Sequence, residues 1–178
     1  VKGAAANAPI TDLAETLARK IGRVVAEKGD TLVSKAETRE ARIGRMLAAL
    51  KEGPRPSIAV KIPERHFGGP VVDPAAEAEL LRILQKAGFK TVDEKSAEKA
   101  DLEITGEAFS AFGVRKGNLF SCRSRIEVKV HDRASGRLLA VDREASVALD
   151  IAEQSAAKAA LQDAAAMLAE RLVPQLAR

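Results

Sequence analysis

Tryptophan and tyrosine are absent from this 178-residue chain, phenylalanine occurs five times, histidine twice and cysteine once. So few rings leave almost no stacking platform for single strands or splayed bases, which disfavours nucleic acid as a partner. A lone Cys122 excludes an internal disulfide, and no CxxC or Cys/His cluster supplies zinc spacing. No run approaches the roughly 18 apolar residues of a membrane-spanning helix, and Val24-Val25-Ala26 is interrupted at once by Glu27 and Lys28. No basic segment followed by an apolar stretch and a cleavage site opens the sequence, so any export signal is expected to have been removed or never to have existed.

What is present is enough to fold. Apolar residues make up 46% and charged residues 30%, which excludes wholesale disorder. Lysine and arginine exceed the acids by 29 to 25, a mild excess spread along the chain rather than concentrated in blocks.

Residues 1–10 read as a flexible tail and 11–53 as an N-terminal helical segment. There Leu13, Leu17, Ile21, Val24 and Val25 recur at helical steps up to Gly29, and residues 31–33 are strand-like. Ser34 with Glu37 has capping-box spacing for a helix carrying Ile43, Met46, Leu47 and Leu50. This segment either packs on the domain that follows or belongs to an incomplete first module. Gly53-Pro54-Arg55-Pro56 is the expected joint. Ile58, Val60 and Ile62 then alternate as a strand that Pro63 should end, leaving Glu64 to Pro70 as a loop. Asp73 as cap and Pro74 as first residue open a helix with Leu80, Leu81 and Leu84 on one side, closed by Gly88.

Phe89 to Asp93 reads as a short strand and Leu102 to Ala108 or beyond as the next. After Gly117-Asn118, Phe120, Cys122, Ser124, Ile126, Val128 and Val130 share one parity, and Arg123, Arg125, Glu127 and Lys129 the other. That is a strand with one wet face. Ala134-Ser135-Gly136 is a hairpin turn, beyond which Leu139, Val141, Ala145, Val147 and Leu149 resume the alternation. An Ala-rich helix from about Ile151 to Leu172 closes the domain, small enough in its first half to lie close against a sheet. The fold class is α+β: a mixed, mostly antiparallel sheet over residues 57–176, packed on one side by two helices and preceded by the helical segment.

No catalytic constellation and no metal set is found. His66, beside Glu64 and Arg65, lacks a nucleophile or ligand companion, and His131 stands alone. Cys122 has the parity of buried residues and reads as a structural thiol. The glycines fit neither a P-loop nor a dinucleotide fingerprint, so no cofactor and no small-molecule substrate is implied. Candidate partner-binding residues are Arg65, His66 and Phe67 in the Pro/Gly loop, with Arg115, Lys116, Arg123 and Arg125 on the paired strands. Those cations, with Lys129, form either a solvated face offset by Glu127, Asp142 and Glu144 or an anion or lipid-headgroup site.

Ser57 to Val60, Glu79 to Asp93, and Ala100-Asp101-Leu102-Glu103-Ile104-Thr105-Gly106-Glu107-Ala108 together resemble the CsgG-type bacterial envelope domain. So do Glu127 to Ala140, with its turn glycine, and the helix from Ala156 to Leu172. The resemblance covers about Ser57 to Leu176 and implies a non-enzymatic envelope protein that is periplasmic or outer-membrane associated. It also implies a protein partner or self-association in an envelope, secretion or assembly system. The acylated N-terminal cysteine that anchors the family's secretion channel is not matched by Cys122, the only cysteine here, and Phe109 to Phe120 is too short and too charged for a membrane-crossing hairpin, so no channel is expected. A nucleic-acid or anion-binding module using the basic strand face is the alternative.

Overall fold

The computed structural model describes Thr16, residues 37–93 and residues 100–177. The chain divides into two units, Val1–Thr38 and Arg39–Arg178, and the fold described here is that of the second. Apart from Thr16, the expected tail, the Leu13–Val25 helix, the strand-like residues 31–33 and the Ser34 cap lie outside the described residues.

The elements of the second unit are α1 (Arg39–Ala48), β1 (Ser57–Lys61), β2 (Glu64–His66), β3 (Gly69–Pro70), α2 (Ala75–Lys86), β4 (Lys90–Thr91), β5 (Leu102–Lys116), β6 (Leu119–Asp132), β7 (Leu138–Asp150) and α3 (Glu153–Leu176). They form an α+β fold with one seven-stranded mixed sheet. β5 is its spine. One edge pairs antiparallel with β6, which in turn pairs antiparallel with β7. The other edge takes β1 and then β2, both parallel. β4 flanks β1, and β3 flanks β2.

Pro63 does not end the first strand. Ile58 opposite Leu102 and Glu64 opposite Ala108 keep the same offset along β5, so β1 and β2 are one strand with a proline in it. Proline is tolerated because its carbonyl still accepts the Ala108 N–H at 3.0 Å. The Ile62 N–H is taken by Glu77 Oε2 at 2.7 Å. The expected loop from Glu64 to Pro70 is therefore the β2–β3 hairpin. The cap of α2 is also not local. Pro74 occupies the cap position without a side-chain bond, and Asp73 pairs with Lys158 instead. The buried Glu64 supplies the acceptor, its Oε2 lying 2.8 Å from the Ala76 N–H.

α3 is buried on most of its circumference. Ala156, Ala157, Ala160 and Ala164 are fully buried, as are Leu161, Leu168 and Leu172. Small residues let the helix approach the row Ser110, Ser124 and Ser146 on the sheet face beneath its first half. Ile43 and Met46 of α1 enter the same core as Ile58, Leu80, Ile83, Ile104, Ile126 and Val130. Arg42 of α1 pairs with Glu170 of α3 at 2.8 Å. The Gly53–Pro56 joint is tied down by Arg55, which donates to the Ala177 carbonyl at 2.9 Å and lies over the Phe89 ring at 5.8 Å. Gly106, where β5 passes from β1 to β2, sits so close to β6 that a Cβ there would meet the Glu127 carbonyl oxygen at 2.1 Å.

Candidate functional site

Side chains of β5, β6 and β7 alternate between two environments. Toward the helices lie Ala108, Ser110, Cys122, Ser124, Ile126, Val128 and Val130, all buried. Cys122 Sγ donates to the Glu153 carbonyl at 3.4 Å, and burial pushes its thiol pKa up, as expected of a structural cysteine. The opposite face has no covering layer among the described residues. Register places Arg65, Phe109, Arg125 and Ala145 in one row across it, Ala111, Arg123 and Val147 in the next. On the other side of that row come Glu107, Glu127 and Arg143, then Thr105, Lys129 and Val141.

The apolar parity of β7 is the exposed one. Val141, Val147 and Leu149 are 62%, 64% and 66% exposed, while Ala140, Asp142, Glu144, Ser146 and Ala148 face the helices. The expected offset of the basic residues by Asp142 and Glu144 is thereby overturned, because both carboxylates lie on the other side of the strand. On the open face Glu127 pairs with Arg125. Among the described residues Arg65, Arg123, Lys129 and Arg143 have no carboxylate within 4.0 Å.

Asp142 and Glu144 have a different task. Arg171 of α3 donates to Asp142 Oδ2 at 2.8 Å, to Glu144 Oε2 at 2.6 Å and to the Arg143 carbonyl at 3.1 Å. The Arg143 N–H turns to Asp142 Oδ1 at 2.7 Å and the Ala145 N–H to Glu144 Oε1 at 2.9 Å. These outward amides and the carbonyl are the groups with which an edge strand recruits a neighbour, and here they are occupied. The Arg171 guanidinium holds the Asp142 carboxyl below its ordinary range against a smaller opposing effect of burial. For Glu144 burial pulls upward most strongly, yet Arg171 and the Ala145 N–H leave it lowered.

At the other end of the sheet no described residue covers the edge. β2 pairs with β5 only as far as Ser110, whose carbonyl accepts the Phe67 N–H at 3.0 Å. Beyond that point β5 runs on to Lys116 with β6 alone beside it among the described residues. A groove of about 810 Å³ opens there, lined by Arg65, Phe67, Glu107, Phe109 and Phe112. Each of the three phenylalanines is 43% exposed. Phe67 and Gly68 form the β2–β3 turn with φ of 51° and 88°. Two successive positive φ angles match a type I′ hairpin, but a bulky residue in the left-handed region costs roughly 1–2 kcal/mol.

Of the sequence candidates, Arg65 and Phe67 line this groove, and Arg123 and Arg125 lie on the adjoining open face. Arg115 and Lys116 end β5; Arg115 lies over the Phe120 ring at 4.9 Å and bonds the Gly117 carbonyl at 3.1 Å. His66 points inward, its side chain 8% exposed and its Nε2 2.5 Å from Glu64 Oε1. Both Glu64 oxygens are thus engaged, one by His66 and one by α2. Sequence reasoning did not single out Phe109, Phe112, Arg143 or the β7 aliphatics. The available signal was that Phe109 and Phe112 have opposite parity in one strand, so at least one must face away from the core. Among the described residues no group of metal-ligating side chains gathers, and no helix is long and apolar enough to cross a membrane.

No family model matches the chain, and no curated protein does. Solved structures do. A Xanthomonas campestris protein of the DUF330 family aligns at 13% identity over 71% of this chain and 86% of its own, with a TM-score of 0.49. The PelC dodecamer from Paraburkholderia phytofirmans aligns at 12% identity over 67% and 93%, TM-score 0.44. The LpoB C-terminal domain from Salmonella enterica is similar at 12% identity over 60% and 93%, TM-score 0.32.

Proposed function

We propose that this chain is a non-enzymatic protein-interaction component of the bacterial cell envelope, of CsgG-like type, meeting a protein partner or further copies of itself through the open side of β5–β7. The observation that carries this reading is the face that the described residues leave open. Phe109, Val141, Val147 and Leu149 stand exposed there among Arg65, Arg123, Lys129 and Arg143. An apolar surface left in water forgoes about 25 cal/mol per Å² that contact would recover, and mixed apolar and arginine composition is typical of interface centres. The envelope assignment rests on the ordered motifs from Ser57 to the closing helix.

The test is a photo-crosslinking residue at Val147 in the full chain, with a control at Lys86 on α2, in intact cells. Protein adducts at 147 and none at 86 are expected. Equal labelling at both positions, or none at 147, would contradict the reading. The surplus of cations with no carboxylate partner among the described residues on the same face favours a second reading, a polyanion site. That reading predicts retention on DNA or RNA at low salt, with affinity falling steeply as salt rises.

A further inference from the structure

We infer that the distal edge of β5 takes up an extended, acidic and apolar segment of a partner protein as an added strand. This deepens the protein-binding reading and rests on it. The backbone comes first. The Ala108 N–H and the Ser110 carbonyl both point toward the β1–β2 side of β5, bonded to Pro63 and Phe67. Strand alternation therefore places the N–H and C=O of Phe112 on that same edge, one step beyond where β2 stops. These groups continue a ladder whose existing strand has turned away at Phe67-Gly68. An incoming strand would lie in line with β2 and parallel or antiparallel to β5.

Side chains then select its chemistry. Phe67, Phe109 and Phe112 border the groove and offer ring surface to alternate apolar side chains. Arg65 of β2 lies in the groove, Arg115 and Lys116 at the far end of β5, and Arg123 of β6 in the row beside Ala111. Against them stands Glu107. The balance is cationic, so acidic residues flanking the apolar ones complete the match.

Phe67 supplies an independent reason. Asparagine or glycine would form this turn without strain, yet an aromatic residue is held at φ 51°. What that position gains is a ring at the groove mouth, 6.2 Å from the His66 ring and edge-on to it. The contrast with β7 is the third point. There the edge amides of Arg143 and Ala145 are occupied by carboxylates; among the described residues nothing occupies that of Phe112.

The experiment uses the full chain and a fluorescent peptide in which valine and phenylalanine alternate with glutamate. Two companions replace every glutamate by lysine or the central valine by proline. We expect the glutamate peptide to bind roughly tenfold or more tightly than either, with hydrogen-exchange protection of the Phe112 amide. Phe67→Asn and Lys116→Glu should each weaken it several-fold, the latter at an exposed position where folding is not at stake. Equal binding of the three peptides, no binding, or binding without protection at Phe112 would overturn the proposal. So would displacement by an oligothymidylate, which would make this a polyanion site. Protection of Phe112 before peptide is added would place another copy or a segment of the same chain there, and overturn it too. Crosslinking at Val147 is read separately, so loss of peptide binding with intact Val147 adducts rejects this inference and spares the broader function.

Discussion

Among the described residues, β7 and the distal end of β5 are both edges of the sheet, and the molecule treats them oppositely. At β7 a helix residue, Arg171, reaches over the strand, binds Asp142 and Glu144, and leaves the Arg143 and Ala145 amides bonded to those carboxylates. At distal β5 the neighbouring strand turns off at Phe67 and three phenylalanines gather beside the edge that no described residue covers. A strand edge invites pairing with any extended chain, so occupying one with paired, partly exposed charge and leaving the other open restricts where pairing occurs. The difference shows that exposed apolar side chains alone do not mark a strand-pairing site. Val141 and Val147 are more exposed than Phe109, but their edge is guarded.

The most forceful way to break this contrast is Arg171→Ala. It removes the link between α3 and the β7 carboxylates and frees the Arg143 carbonyl. A stability loss of about 1–2 kcal/mol is expected from the partly exposed network. Sedimentation velocity should then show concentration-dependent association, with new exchange protection at 141–147. Arg171→Lys, which keeps charge but not the bidentate fork, should fall between. An Arg171→Ala protein that is destabilised yet associates no more than the parent would remove the guarding role.

Acid provides a gentler version. Asp142 and Glu144 have folded-state pKa values below their ordinary 3.8 and 4.5. Their contribution to stability is therefore complete above the unfolded values and is lost as pH falls through the folded ones. Melting temperature should be insensitive to this network from neutrality down to about pH 5 and decline below about pH 4. Arg171→Gln should flatten that acid limb. Identical slopes for the two proteins would detach the carboxylates from the account.

Phe67→Asn sharpens the other side by a smaller amount. Relief of the left-handed strain should raise stability by about 0.5–1 kcal/mol in denaturant unfolding, while partner-strand binding weakens. A variant that gains stability and keeps full binding would mean that the aromatic ring serves only the turn.

Much of the scaffold was legible because its signals are local. The parity of Cys122, Ile126, Val128 and Val130 marked β6, and the alanines of α3 announced its close approach to the sheet. What failed was decided at a distance. Glu64 looked like a loop residue because nothing nearby says that Pro63 keeps its carbonyl on β5 or that Ala76 needs a cap. The alternation of β7 gives the period and not the side. Register with β6 and the reach of Arg171 decide that Asp142 and Glu144 face the helices and Val141 and Val147 the solvent. The candidate site was half visible for the same reason. Arg65 and Phe67 stood out by their turn, whereas Phe109 and Phe112 matter only because β2 stops short of them.

The most direct test of the account is hydrogen exchange by mass spectrometry on the full chain with and without the glutamate-bearing peptide, comparing residues 109–116 with 139–149. Protection gained in 109–116 and unchanged in 139–149 is the predicted result. Protection gained along 139–149 instead, or in neither segment, would contradict it.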